Sequence, residues 1–403
     1  MKHVKYDKIS IGFICYEFPM GGVEKNIIDI GNYLSDNGLN VYVICETFAQ
    51  NSYPATKDCK FKVMEMGEDS FKTPEAMAYT IVNFIKDNNL HLDIFVCHVY
   101  NDYFKFIKQK LGCKFIFTLQ CMPFAEVRTW LERKKDKKGL INKIKYISTK
   151  LFIKNILYYK FRDKFVSRYR EIYNIADAYT CLCNAYKEEL TKAMGIAEEN
   201  SKIKVIYNFE DVPENFSYSQ RDKVILYVGR LFNSDKRVDR LLRIWKDTQD
   251  NIPEWKLVIA GDGPDRGFLE NLSKELGLKR ISFLGWVNNS RELMKKASIL
   301  CLTSESEGWP LVLMEAQAIG LPAIAFDCSA GVYEILSPSG INGVIVPHRN
   351  ERKFSKALIE LAKDRQKREK IAFNAYNAVK RFSIEYSGSK WLDLINSLIY
   401  GDN

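Results

Sequence analysis

Glu307 and Glu315 are two carboxylates whose spacing suggests chemistry, because they bracket the stretch Ser304-Glu305-Ser306-Glu307-Gly308-Trp309-Pro310-Leu311-Val312-Leu313-Met314-Glu315. Ser298 to Thr303 before it reads as a short buried strand, and Pro310 suits the first position of a following helix. A polar turn therefore joins strand to helix. In that helix Leu311, Val312, Ala318 and Ile319 lie three and four places from Glu315, so its carboxylate rises from an apolar stripe. Burying an unpaired charge there would be expensive. Either the stripe borders a cleft, where ligand hydroxyls or an internal cation meet the carboxylate, or Glu315 is paired within the fold. Glu307, in the turn, reads on its own as a solvated loop acid.

A second constellation is cationic. Lys223 to Val228 reads as a strand, followed by Gly229-Arg230-Leu231 and a helix with Val238, Leu241, Leu242 and Trp245 on its inner face. Ser234 or Asp235 would cap that helix and put Lys236 in its first turn. Cations beside the positive end of a helix oppose the usual preference for anions there. A bound diphosphate would explain Arg230 and Lys236; ordinary surface charge is the alternative.

The elements that must position these groups form an α/β rhythm. Lys8 to Cys15 is a strand, Val23, Ile27, Ile30 and Leu34 recur at helical spacing, and Asn40 to Cys45 is a second strand, which makes a βαβ unit. Gly21 and Gly22 open its helix, where bare backbone N–H groups could face an anion. Strands Leu92 to Cys97 and Lys114 to Leu119 follow, and His98 and Gln120 stand at their carboxyl ends, where ligands collect in open α/β sheets. Lys204 to Asn208 reads as the crossing into a second domain, with a linker from Phe209 to Asp222. The expected division is 1–205, 206–385 and a C-terminal helix over 386–403.

With 403 residues and 46% hydrophobic content, two full cores are affordable. The polar start, Met1 to Asp7, does not read as a secretory signal, and no run reaches the roughly 18 apolar residues of a membrane span. Cys15, Cys45, Cys97, Cys181, Cys183 and Cys301 fall inside strands and read as small hydrophobes, so a reducing cytoplasm is expected and a structural metal is not. Between Glu126 and Glu171 fifteen Lys or Arg stand against five acids, an excess equal to the formal charge of +10 of the whole chain. Leu140, Ile144, Ile147, Leu151 and Tyr158 recur there at near-helical spacing. The segment 126–171 could lie on an anionic leaflet or meet a lipid-linked diphosphate, or simply pack on the first domain. Nucleic acid is not expected, since no recognition module accompanies the charge.

Taken together, the motifs resemble the retaining glycosyltransferases of family 4, which have the GT-B fold: two doubly wound, Rossmann-like α/β domains facing a cleft. Glu307 followed by Gly308-Trp309-Pro310 and a second glutamate at Glu315 is similar to the family signature, and Gly229 to Lys236 is similar to its Gly-Arg-Leu-x₄-Lys motif. Gly21-Gly22-Val23-Glu24 resembles the family's Gly-Gly-x-Glu-Arg, with Lys25 in place of Arg, and Gly261 to Pro264 matches a structural turn. The resemblance implies that Arg230 and Lys236 clamp the donor diphosphate and stabilise the leaving nucleotide. It implies that Glu307 meets the donor sugar and Glu315 the ribose hydroxyls. Gly21, Gly22, Gly308, Trp309, Pro310 and Leu311 join the nucleotide-sugar site, and Trp286 and Val287 flank the base. His98 and Gln120 lie on the acceptor side; many family members carry histidine where this chain has Gln120, which cannot carry a charge.

The activity so implied is a metal-independent, hexosyltransferase-like transfer with retention, from a nucleotide diphosphate sugar, UDP-linked by family frequency, to a saccharide acceptor. No cofactor is expected. A lipid-linked acceptor in capsule, lipopolysaccharide or related surface-polysaccharide synthesis is the expectation, with the protein cytoplasmic or peripheral on the inner face of the cell membrane. A non-catalytic nucleotide-sugar-binding partner subunit, suggested by Gln120, and a GT-B sugar epimerase are the alternatives.

Overall fold

A computed structural model of the chain describes residues 9–18, 21–48, 59–67, 73–98, 103–127, 152–216 and 221–401. The chain divides into two compact units, Met1–Ile206 with Lys390–Asn403, and Tyr207–Ser389.

The first unit runs β1 (Ser10–Phe18), α1 (Gly22–Asp36), β2 (Asn40–Phe48), β3 (Lys62–Glu65), α2 (Pro74–Asp87), β4 (Ile94–Cys97), α3 (Phe104–Leu111), β5 (Lys114–Thr118), α4 (Phe152–Ile175), β6 (Ala178–Cys181), α5 (Asn184–Met194) and β7 (Ile203–Val205). Its sheet has the order β3-β2-β1-β4-β5-β6-β7, and every pairing is parallel. Helices cover both faces of such a sheet, which is why β1 and β4 are apolar without alternation. Ile11, Ile14, Ile94 and Phe95 are fully buried. Phe95 packs between Phe104 and Phe115 at centroid distances of 5.5 and 5.1 Å. Helix α1 presents Ile27, Ile28, Ile30 and Leu34 to the sheet, as its spacing requires.

Residues 128–151, most of the basic segment 126–171 and including Lys134, Lys135, Lys137 and Lys138, lie outside the described residues. The part that follows is the helix α4. Val166, Tyr169 and Ile172 are its buried face, while Lys164, Arg168 and Arg170 are exposed, Arg170 Nε donating to the Met194 carbonyl at 2.9 Å. The described half of the segment is thus a helix packed on its own unit.

The second unit runs β8 (Val224–Val228), α6 (Asn233–Lys236), α7 (Val238–Thr248), β9 (Lys256–Ala260), α8 (Arg266–Glu275), β10 (Ile281–Gly285), α9 (Ser290–Lys296), β11 (Ile299–Leu302), α10 (Leu311–Ala318), β12 (Ala323–Phe326), α11 (Ala330–Leu336), β13 (Val344–Val346), α12 (Glu351–Lys363) and α13 (Arg365–Val379), and leads into α14 (Ile384–Tyr400). Its sheet has the order β10-β9-β8-β11-β12-β13, again parallel throughout. Trp245, Tyr227, Leu257, Phe326 and Phe354 centre its core. The far end of α14 belongs to the first unit, where Trp391 packs edge-on to Phe13 at 6.4 Å.

Both sheets reverse strand order once, between β1 and β4 and between β8 and β11. At such a switch point the two outgoing loops diverge and leave a crevice at the strands' carboxyl ends. Among the described residues no helix is long and apolar enough to cross a membrane. Cys15, Cys45, Cys113, Cys181, Cys301 and Cys328 are buried.

Candidate functional site

The crevice of the second unit is built by the chain leaving β8 and the chain leaving β11. Gly229, Arg230 and Leu231 follow β8 and are held backbone to backbone against the Gly261-Asp262-Gly263 turn. Leu231 N–H donates to the Asp262 carbonyl at 2.8 Å, and Gly229 N–H donates to that of Ala260 at 3.1 Å. Gly261 has φ 142°, and any Cβ there would collide with the Gly229 carbonyl. The loop is fixed by main chain, so the exposed Arg230 side chain is presented from a rigid base. The Tyr227 hydroxyl adds a bond to the Arg230 carbonyl at 3.1 Å.

Beyond Leu231 the sequence-based expectation is corrected. The helix does not run from Ser234 onward; α6 ends at Lys236 and α7 starts at Val238, because Arg237 between them is left-handed at φ 46°. A non-glycine residue adopts that conformation only when its surroundings hold it. Here the Arg237 guanidinium makes two bonds to Asp239, at 2.8 and 2.9 Å, and its carbonyl accepts from the Thr303 hydroxyl at 3.1 Å. Asn233, rather than Ser234 or Asp235, accepts a first-turn N–H of α7, that of Asp239 at 3.1 Å. Lys236 consequently stands at the end of the short helix, where its side chain crosses to the β11 loop.

There Lys236 Nζ donates to Glu307 Oε1 at 2.7 Å, and the Ser304 hydroxyl donates to the same oxygen at 2.6 Å. Glu307 is 9% exposed. It is a buried, paired carboxylate and not the solvated loop acid that its place in a turn suggests. The two loops are also tied through main chain, Glu305 N–H donating to the Asp235 carbonyl at 2.7 Å. Burial raises the Tyr227 pKa first, the Glu307 charge raises it further, and Arg230 pulls it back. The Cys328 thiol is a further neighbour, pushed up to about 12 by burial, then by Glu307, with Lys236 opposing.

The rest of the motif is structural in its geometry. A Cβ on Gly331, in the first turn of α11, would collide with the Gly308 carbonyl, so only glycine lets α11 press on this loop. Trp309 is buried, stacked on Tyr207 at 5.4 Å and edge-on to Phe382 at 5.3 Å. Pro310 occupies the cap position, one residue before the expected helix start, and Leu311 begins α10. Glu315, half-buried, rises from that helix between the half-buried Leu311 and the buried Ala318. Trp286 and Val287 follow β10, the edge strand two places from β8. Trp286 is 64% exposed, with its indole N–H on Asn288 at 2.9 Å.

Sequence reasoning missed the ionic web behind this site. Glu305, with a side chain 6% exposed, pairs with Arg240 and Arg349, and Arg237 and His348 approach it at 3.8 Å. Burial would raise the Asp239 pKa, but hydrogen bonds from Arg237 and Arg243 outweigh it and hold the carboxyl at about 2. The Glu305 partners lie 65 and 44 residues away in sequence, beyond the reach of any local pattern.

In the first unit Gly21 and Gly22 are exposed at the start of α1, Gly21 serving as its cap residue. His98 and Gln120 line one small cavity with Asn26 and Thr118, of about 10 Å³, which is room for about one water. Asn26 Oδ1 and Gln120 Oε1 are buried and have no hydrogen-bond partner among the described residues. Burial pulls the His98 pKa down to about 4. His98 is therefore neutral at pH 7 and does not supply the charge that Gln120 lacks.

The crystal structure of HepE from Anabaena in complex with UDP and glucose superimposes with a TM-score of 0.72 at 18% identity, covering 96% of this chain and 100% of that one. The chain has the GT-B glycosyltransferase fold. Residues 20–212 match the family model Glycosyltransferase Family 4, and residues 208–378 match Glycosyl transferases group 1. The amylovoran biosynthesis glycosyltransferase AmsD of Erwinia amylovora is 30% identical over 232 residues, 56% of this chain and 63% of that protein. In Campylobacter jejuni a GalNAc-alpha-(1->4)-GalNAc-alpha-(1->3)-diNAcBac-PP-undecaprenol alpha-1,4-N-acetyl-D-galactosaminyltransferase is 32% identical over 200 residues, 48% of this chain and 54% of that protein. The chain spans about half the length of the curated relatives it matches.

Proposed function

We propose that this GT-B chain is a retaining glycosyltransferase that moves a hexose-like sugar from a UDP-linked donor to a lipid-linked saccharide in cell-surface polysaccharide synthesis, without metal or other cofactor. The observation that carries the proposal is the Lys236–Glu307 pair at 2.7 Å beside the exposed Arg230, at the carboxyl ends of adjacent strands. Arg230 and Lys236 bind the diphosphate oxygens and stabilise the charge that develops on the leaving nucleotide. Glu307, oriented by Lys236 and Ser304, positions the sugar hydroxyls. Glu315 meets the ribose, and the exposed Trp286 ring with Val287 offers a face for the base. Retention follows if the donor's own phosphate oxygen takes the acceptor proton, a route in which neither neutral His98 nor Gln120 needs to act as a base.

Support for the donor base comes from the similarly folded HepE, solved with UDP and glucose, and for the acceptor from the undecaprenol-linked saccharide in the Campylobacter relative's name. The charge of segment 126–171 suits an anionic leaflet at a peripheral position on the inner face of the membrane. Reversing Lys134, Lys135, Lys137 and Lys138 should abolish flotation with anionic liposomes.

The test is donor turnover. Incubated with UDP-hexoses, the protein should slowly release UDP, with the transferred sugar's anomeric configuration retained by NMR. Lys236→Ala and Glu307→Gln should each lower the rate about 10²–10³-fold. A protein that binds these donors and protects them would be a non-catalytic partner subunit, and the proposal would fail.

A further inference from the structure

The first unit holds a second cavity, of about 70 Å³, under α4 and beside the ends of β5 and β6. Phe117, Tyr169 and Ile172 give it apolar walls, and His98, Arg168 and Tyr179 also line it, the Phe117 and Tyr179 rings standing 4.9 Å apart. Tyr179 is fully buried, yet its hydroxyl has no hydrogen-bond partner among the described residues. An unmet buried hydroxyl is unfavourable, and it marks the place of a missing polar atom. Burial, then Cys121, Cys181 and Glu126, push the phenol's pKa well up, so the hydroxyl keeps its proton and can donate it. Glu126 lines the same cavity as an acceptor: its Oε2 accepts a hydrogen bond from the Tyr169 hydroxyl at 3.1 Å, and Tyr169 in turn accepts from Phe124 N–H at 3.0 Å.

Size and chemistry together narrow the occupant. The volume is roughly half of the ~150 Å³ that admits benzene in an apolar cavity, so neither an isoprenoid chain nor a sugar ring enters, whereas a group of a few heavy atoms does. That group must bring a carbonyl for Tyr179, an N–H for Glu126 and a methyl for the rings. An acetamido group carries all three. Resting on the reading of this unit as the acceptor side, we propose that the cavity takes the acetamido group of an N-acetylated acceptor sugar and selects for it.

The test uses the full chain saturated with UDP and titrated with the methyl glycosides of N-acetylglucosamine, N-acetylgalactosamine, glucose and galactose, followed by saturation-transfer NMR. At least one N-acetylated glycoside should bind about tenfold or more tighter than its plain counterpart, with the acetyl methyl the most strongly saturated group. Tyr179→Phe, which keeps the ring, should lower that affinity roughly three- to tenfold, the worth of a neutral hydrogen bond, and leave the plain sugars unchanged. Ile172→Phe, which fills the cavity, should abolish the preference. Equal binding of acetylated and plain glycosides, or a preference that survives both substitutions, would overturn the proposal. The thermal shift with UDP, read on the same samples, reports the donor site alone, so a failed acceptor pocket is not confused with a failed glycosyltransferase reading.

Discussion

At the ends of β8 and β11 the buried charges are matched: Glu305 lies among Arg240, Arg349 and Arg237, Asp239 between Arg237 and Arg243, and Glu307 against Lys236. In the first unit Asn26 Oδ1 on α1, Gln120 Oε1 just past β5 and the Tyr179 hydroxyl on β6 are neutral, buried and without a hydrogen-bond partner among the described residues. The two crevices thus differ in the polar groups they bury, paired charges in one and neutral groups in the other. Paired charges hold a loop in one geometry before any ligand arrives, which suits an anionic diphosphate that needs preorganised cations. Neutral groups without partners await a neutral ligand with hydroxyls or amides.

The sharpest way to break this contrast is Glu305→Ala. It leaves Arg240 and Arg349 uncompensated, and removing one member of a buried ion pair costs about 3–5 kcal/mol. Urea unfolding followed by the fluorescence of Trp245 and Trp255, in the core of the second unit, should show a loss of that order. A loss under 1 kcal/mol would mean the web is not what holds the loop.

Asp239 gives a smaller effect with a distinctive pH dependence. Its carboxyl is held at about 2 against ~3.9 when unfolded, a difference of about 2.6 kcal/mol. A depressed folded pKa stabilises above the unfolded value and loses that contribution as pH falls through the folded one. The stability gap between wild type and Asp239→Asn should therefore be full above pH ~5 and shrink by about 2 kcal/mol by pH ~2. A gap independent of pH would remove the bonds from Arg237 and Arg243 as its cause.

The smallest effect belongs to the first unit and has the opposite sign. Asn26→Leu removes a buried oxygen that has no partner among the described residues and should be neutral or stabilising by up to ~1 kcal/mol. A destabilisation above about 1.5 kcal/mol would show that Asn26 is already satisfied, and the contrast between the units would weaken.

Much of the scaffold is legible in the sequence, because parallel strands buried on both faces appear as short apolar runs and the covering helices keep their spacing. Lys223 to Val228 reads as a strand, and the structure has β8 there; Gly21 and Gly22 open α1 as the spacing of its apolar residues implies. The strand β3 is not legible: it has four residues, lies at the sheet edge, and only Met64 in it is buried. The break at Arg237 is hidden too, since Asp-Lys-Arg-Val-Asp has ordinary helical propensity and only the Asp239 and Thr303 contacts turn the residue left-handed. Glu307 could be found by its motif but not its burial, which depends on Lys236 from 71 positions earlier. Trp309 follows the same logic, its contacts with Tyr207 and Phe382 being tertiary and outside any local pattern.

The central claim is that the second unit carries a nucleotide diphosphate site clamped by Arg230. A thermal-shift titration of wild type and Arg230→Ala with UDP, GDP and ADP tests it directly, because a ligand at a hundred times its dissociation constant stabilises a fold by about 2.7 kcal/mol. The account predicts stabilisation of the wild type by UDP and its loss in Arg230→Ala. No shift of the wild type with any of the three nucleotides, or an undiminished UDP shift in the variant, would contradict it.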